Sequence, residues 1–100
     1  MSYYTFSDLA IKDVEEICDF LAQKNPKFVS QLFDTIRHKC KLVASFPNMG
    51  KDYSWIDPCL PGFIVDDYIV FYYPHEEVIY IARVIYGRRD LIVSFKDFRD

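Results

Sequence analysis

Three arginines lie close together in the stretch IARVIYGRRD, at Arg83, Arg88 and Arg89. Arginine keeps its charge and binds phosphate oxygens well, so such a set could stabilise the negative charge that develops in phosphoryl chemistry. Lys51 could add another cation, and Tyr86 could stack on a base or shuttle a proton. If the protein cleaves a nucleic acid, these five residues are the catalytic candidates.

Each arginine also has a purely structural explanation. Arg83 lies in an otherwise apolar run, and a buried arginine needs a carboxylate partner, so an ion pair explains it as well as a binding role does. Arg88 and Arg89 follow Gly87, where an exposed turn is expected after a strand. Because arginine is enriched among interface anchors, a partner contact is the favoured interpretation for these two.

Composition favours one small domain spanning residues 1–100. About half of the 100 residues are hydrophobic, with nine Phe and eight Tyr, which is enough for a core without disulfides or metal. The three cysteines are odd in number and widely spaced, which argues against a disulfide framework or a zinc site. The net charge of −3 is unlike a general nucleic-acid binder, and no leader or membrane-spanning run is visible, so a cytoplasmic location is expected.

The first half of the sequence predicts a strand and two helices. A strand is expected at Tyr3–Phe6, followed by a helix from Ser7, which can cap it, to near Lys24. A second helix is expected from Asn25, a good cap that precedes a proline, and it must end before Pro47. The outer face of the first helix is acidic and that of the second is basic, and so short a connection predicts an antiparallel helical hairpin.

The second half changes to the alternating pattern of strands. Residues 62–87 are rich in Val, Ile, Phe and Tyr, with polar breaks at residues 66–67 and 74–77, which predicts a three-stranded antiparallel meander. In the last strand, strict alternation places four side chains on one face, those of Ile79, Ile81, Arg83 and Ile85. The next segment, DLIVSF, could be a short helix capped by Asp90 or another strand.

Together these elements predict an α+β fold. We expect a small antiparallel sheet that contains the N-terminal strand and the C-terminal three-stranded meander, with the α-helical hairpin packed on one face.

The order of these elements and several local motifs resemble a known family. PNMGKDY, PGFIVDDYIVFYY and RVIYGRRDL, with the opening FSDLAIKDVEEI, resemble the RelE/ParE superfamily of toxins from bacterial toxin–antitoxin modules, nearer the ParE branch. The resemblance covers essentially the whole chain. It implies a cognate antitoxin that wraps the toxin, and a target that is either DNA gyrase or the translating ribosome.

Two departures from the superfamily pattern bear on the choice of target. Pro61 stands where many relatives carry an arginine before Gly-Phe, and Tyr86 stands where relatives often carry a histidine before glycine. The resemblance therefore favours a ParE-like toxin that binds and poisons DNA gyrase. The alternatives are a ribosome-dependent mRNA endoribonuclease that uses the catalytic candidates above, and a degenerate toxin that only binds its antitoxin.

The expected binding residues overlap with the catalytic candidates. Contacts to the target or partner are predicted for Arg83, Arg88, Arg89, Trp55 and Tyr72. We expect a toxin–antitoxin hetero-oligomer in which the antitoxin docks through an amphipathic helix in a groove and a strand at an open sheet edge. No cofactor, metal or membrane partner is expected.

Overall fold

The structure, a computed structural model, describes residues 3–88 and 90–96, with only the backbone described at Lys96. The elements in these ranges are β1 (Tyr3–Phe6), α1 (Asp8–Ala22), α2 (Pro26–Ser45), a 3-10 turn (Pro47–Met49), β2 (Lys51–Asp52), β3 (Pro61–Val65), β4 (Tyr68–His75), β5 (Val78–Tyr86) and α3 (Leu91–Lys96). None of the helices in these two ranges is long and apolar enough to cross a membrane.

The helical hairpin forms where the capping residues predict it. The Ser7 hydroxyl accepts a hydrogen bond from the Ala10 amide at 3.0 Å and caps α1. The Asn25 side chain accepts from the Phe28 amide at 3.3 Å and caps α2, whose first residue is a proline. Both predicted helices are confirmed, and α1 ends within two residues of the expected position.

The α+β prediction is confirmed, although the sheet is mixed and not wholly antiparallel. Its strand order is β1-β5-β4-β3-β2, and β1 pairs with β5 in parallel. A parallel pair needs a long crossover connection, and the whole helical hairpin lies between these two strands in the chain. The short strand β2 was not predicted, because two residues are too few to show a periodic pattern.

A β-bulge changes the direction of the side chains along β5. The register passes from Phe71 opposite Arg83 to Tyr72 opposite Ile81, which leaves Ala82 as an extra residue. Ile81 therefore faces α1 and α2, whereas Ile85 faces the other side of the sheet. The predicted single face from Ile79 to Ile85 is wrong because strict alternation does not survive a bulge.

Hydrophobic clusters cover both faces of the sheet. The cluster between the sheet and the helical hairpin includes Leu32, Ile36, Val43, Val70, Tyr72 and Ile81. The cluster on the opposite face, beneath residues 53–60 and α3, includes Tyr53, Leu60, Phe71, Ile85 and Phe95. The segment after β5 is thus a helix and not a strand, and the Asp90 side chain accepts from the Val93 amide at 3.2 Å as its cap.

Candidate functional site

Arg83 forms a buried ion pair with Asp13. Its Nε donates to Asp13 Oδ2 at 2.7 Å and its Nη2 donates to Asp13 Oδ1 at 2.8 Å, a bidentate arrangement. Nη1 donates to the carbonyls of Ser94 at 2.9 Å and Phe95 at 3.2 Å. Arg83 is only 5% exposed and Asp13 8%. Of the two explanations that the sequence leaves open for Arg83, the geometry is that of the ion pair, which joins α1, β5 and α3.

Asp13 and Ser7 also cover the part of β5 that has no neighbouring strand. β1 ends at Phe6, and among residues 3–88 and 90–96 no strand pairs with the edge of β5 beyond Ile81. There the Ser7 hydroxyl donates to the carbonyl of Ala82 at 2.8 Å, and the Val84 amide donates to Asp13 Oδ2 at 3.0 Å. Side chains of α1 and its cap thus replace the hydrogen bonds of an absent strand.

Sequence reasoning missed Asp13, although a signal for it is present. The apolar stripe of α1 runs from Ala10 to Ile17, and Asp13 lies three residues after Ala10, on that stripe. A carboxylate within an apolar helical stripe and an arginine within an apolar strand each need a partner. Each residue could therefore have pointed to the other.

A groove lies between α1 and the end of β5, and we call it the α1 groove. Its volume is about 510 Å³. Ile17, Phe20 and Leu21 line its apolar side, and Phe20 is 55% exposed. Glu16 and Asp67 add carboxylates to its lining, so the groove combines apolar surface with negative charge.

The floor of the α1 groove includes the free edge of β5. Tyr68 and Tyr86 line it, with ring centroids 5.8 Å apart in an edge-to-face arrangement. The Val84 amide points towards α1, where Asp13 accepts from it. The N–H and C=O of one residue point to the same side of a strand, so the Val84 carbonyl faces the α1 groove as well. The Tyr86 main chain, two residues further on, faces the same way.

The predicted catalytic cations do not converge in the described residues. Lys51 lies on β2, with its Nζ 5.6 Å from the centroid of the Tyr53 ring. Lys51 and Arg83 are on the same row of the sheet, but β3 and β4 separate them, which corresponds to about 14 Å between their backbones. Arg88 is exposed after β5, and Arg89 lies outside the described residues.

The two aromatic candidates have opposite environments. Tyr72 is fully buried, its hydroxyl donates to the Pro47 carbonyl at 2.7 Å, and burial raises its pKa. A side chain in this position belongs to the core, so the expected partner contact at Tyr72 does not fit the folded chain. Trp55 is 59% exposed, with its ring 6.2 Å from that of Tyr53, and it is accessible to a partner.

The arrangement of a helical hairpin on a five-stranded mixed sheet is also found in a solved structure. That structure is described as the chromosomal ParDE TA system from P. aeruginosa; the match has a TM-score of 0.68 and 17% identity, and covers 84% of this chain and 92% of the other. At that identity the match shows the fold alone.

The family follows from the sequence itself. Residues 4–91 match the model of the ParE toxin of the type II toxin–antitoxin system, parDE, and the chain belongs to this family. The predicted membership of the RelE/ParE superfamily, nearer the ParE branch, is confirmed. No curated protein matches the chain. It is the toxin component of a type II toxin–antitoxin system.

Proposed function

We propose that the chain poisons DNA gyrase by binding it, and that a cognate antitoxin neutralises the chain by occupying the α1 groove. One observation carries the antitoxin site: the groove places exposed apolar side chains beside an edge of β5 that pairs with no strand in the described part of the chain. An amphipathic helix would bury Phe20 and its apolar neighbours, and an extended segment would add to the edge of β5.

The chemistry of the α1 groove specifies its occupant further. Glu16 and Asp67 favour Lys or Arg side chains in the antitoxin segment, next to the apolar residues that cover Phe20. Asp13 already holds the Val84 amide, so an added strand can pair only from the Val84 carbonyl onwards. This contact fixes the register in which the segment enters.

The placement of the cations supports action by binding over action by cleavage. A phosphodiester in cleavage needs several preorganised donors at one point, together with a proton shuttle. Here the guanidinium of Arg83 is enclosed by Asp13 and α3, and Lys51 is near the opposite end of the sheet. A toxin that poisons a protein target does not need these groups to meet.

The test compares the two superfamily targets directly. The purified chain is assayed for gyrase supercoiling with trapping of the cleavage complex, and in parallel for mRNA cleavage on programmed ribosomes. We expect loss of supercoiling with intact mRNA, and restoration of supercoiling when the purified antitoxin is added. Codon-linked mRNA cuts with normal gyrase activity would contradict the proposal and establish the endoribonuclease.

A further inference from the structure

A second exposed apolar surface lies at the C-terminal end of α2, and we call it the α2 row. Its members are Leu42, Phe46 and Met49, which are 41%, 62% and 52% exposed. Leu42 and Phe46 are four residues apart and lie on the same side of the helix end. The Met49 amide donates to the Phe46 carbonyl at 3.1 Å, so Met49 lies one turn of backbone beyond Phe46, at the end of the 3-10 turn.

The segment that carries the α2 row is positively charged. Residues 35–51 contain Arg37, Lys39, Lys41 and Lys51 and no acidic residue. Arg37 pairs with Asp34 in the preceding turn of α2, which leaves three lysines in the segment. The Lys39 ammonium donates to the Ile64 carbonyl at 2.8 Å in a solvent-exposed hydrogen bond, and Lys39 lies one turn of α2 before Leu42.

We propose that the α2 row docks an acidic, apolar segment of the protein that the toxin attacks. This inference rests on the proposed function, in which the toxin acts by binding a protein. An apolar row within a lysine-rich segment is complementary to a peptide in which hydrophobic side chains lie between carboxylates. Three large exposed side chains in one row give such a peptide an apolar anchor as well as charge.

The two alternative occupants fit this surface less well. A nucleic acid would bind the lysines but gain little from Leu42, Phe46 and Met49. The antitoxin segment proposed for the α1 groove is cationic, because that groove is lined by carboxylates, and the same segment would be repelled by the lysines here. The two surfaces therefore select segments of opposite charge, and the toxin has separate contacts for its inhibitor and its target.

Two phenylalanines provide matched variants for a test. Phe46→Ser changes the α2 row, and Phe20→Ser changes the α1 groove; because both rings are more than half exposed, neither substitution should unfold the chain. Dissociation constants are measured for purified gyrase and for the purified antitoxin, with thermal melts as folding controls, and growth arrest is scored after induction of each variant. We expect Phe46→Ser to weaken gyrase binding by at least tenfold and to relieve growth arrest, with antitoxin affinity unchanged. Phe20→Ser should weaken antitoxin binding by at least tenfold, with gyrase affinity unchanged and growth arrest retained.

Charge provides an independent variant. Lys39→Glu should also weaken gyrase binding. The wild-type affinity should fall as the salt concentration rises from 50 to 200 mM, because the Debye length shortens from about 14 to about 7 Å. A contrary result would have two parts: the wild-type chain binds a 30-base-pair duplex and Lys39→Glu does not, while Phe46→Ser binds gyrase with unchanged affinity. That result would assign the surface to nucleic acid and overturn the inference.

The remaining outcomes separate the inference from the proposed function. Loss of antitoxin affinity in Phe46→Ser, with growth arrest intact, would assign the α2 row to the antitoxin and overturn the inference. Growth arrest by the wild-type chain without any effect on purified gyrase would contradict the proposed target. In that case the growth phenotype of Phe46→Ser would still decide whether the α2 row contacts the true target.

Discussion

Each helix of the hairpin contacts a stretch of strand that pairs with no further strand among the described residues: α1 contacts the end of β5, and α2 contacts β3 beyond its pairing with β2. On the α1 side, Ser7 and Asp13 bind the main chain of β5, and Arg83 holds Asp13 in a buried ion pair. On the α2 side, one hydrogen bond from Lys39 reaches β3, and that bond is exposed to solvent. The first edge is therefore part of the folded core, whereas the second is held by a contact that water can replace.

The buried Asp13–Arg83 pair contributes to the stability of the chain, whereas the exposed Lys39 is available to bind a partner. A buried charge pair cannot lose one partner without leaving the other uncompensated, so its residues are not available for exchange with a ligand. An exposed lysine loses little when a competing group takes its place. We therefore expect substitutions in the Asp13–Arg83 pair to destabilise the chain and substitution of Lys39 to change mainly its interactions.

The largest effect is expected for Arg83→Met. The substitution removes the cation and leaves the Asp13 carboxylate buried beside α3, which should lower the free energy of unfolding by about 3–5 kcal/mol. For a domain of this size that is a large part of the total stability. Urea denaturation followed by circular dichroism measures the loss.

The double variant Asp13→Leu/Arg83→Met is the control, because replacing both charges with apolar side chains should restore much of the stability. Wild-type stability in Arg83→Met, combined with loss of target binding, would show that Arg83 is a surface binding residue. The comparison between the two edges would then fail.

The second effect is a loss of stability at alkaline pH that originates on the buried face of α2. Burial raises the pKa of the Cys40 thiol from its ordinary value of 9.0 to about 12. Below pH 9 the thiol is protonated in both states, so its contribution to stability is fully present there. Above pH 9 only the unfolded chain releases the proton, so stability falls by about 1.4 kcal/mol per pH unit until the folded thiol ionises too.

Urea titrations between pH 8 and 10.5 test this contribution. Cys40→Ala should be less stable than the wild type at pH 8, because it leaves a cavity, but it should lose less stability as the pH rises. Burial also raises the pKa values of Tyr53 and Tyr72, which add a parallel loss to both proteins above pH 10. Equal slopes in the two proteins would show that the Cys40 thiol is solvated in the folded state.

Local signals in the sequence account for most of the secondary structure. Ser7, Asn25 and Pro47 act on the residues next to them, so the two long helices could be predicted closely. The Asp66-Asp67 break also predicted the hairpin between β3 and β4 correctly. Its turn needs a positive φ, and Asp66 adopts a φ of 53°, which aspartate tolerates.

Features that depend on contacts between distant residues were not predictable in this way. The Asp13–Arg83 pair joins residues 70 positions apart, and the bulge at Ala82 depends on how β5 meets β4. Tyr72 belongs to a strand buried on both faces, where alternation no longer distinguishes a core tyrosine from an exposed one. For these reasons the sequence marks Arg83 and Tyr72 as unusual residues but does not reveal the environments in which the fold places them.

A smaller effect is expected where the end of α2 is attached to the sheet. Tyr72→Phe removes the hydroxyl that donates to the Pro47 carbonyl, which should cost about 1–2 kcal/mol because that carbonyl loses its partner. Thermal unfolding measures the change. Tyr80→Phe removes a hydroxyl from a ring that is 44% exposed and should leave the stability unchanged. Equal effects of the two substitutions would mean that the Tyr72 hydroxyl bond is not a stabilising contact.

The smallest effect is expected for Lys39→Met, which keeps the aliphatic stem and removes only the ammonium that donates to Ile64. The free energy of unfolding should fall by less than about 1 kcal/mol, because water can satisfy the exposed carbonyl. Urea denaturation alongside Arg83→Met compares the two edges under the same conditions.

Amide hydrogen exchange tests the same contrast without a substitution. The Val84 amide is bound by the buried Asp13, so it should exchange only when the chain unfolds globally. The Ile64 amide points to the same side of β3 as the Ile64 carbonyl that Lys39 binds. The strand β2 pairs only with Pro61 and Gly62, so it does not cover this amide, which should exchange much faster than that of Val84. Equal protection of the two amides would mean that α2 closes its edge as firmly as α1 does, and that a partner at the α2 row would have to displace part of the fold.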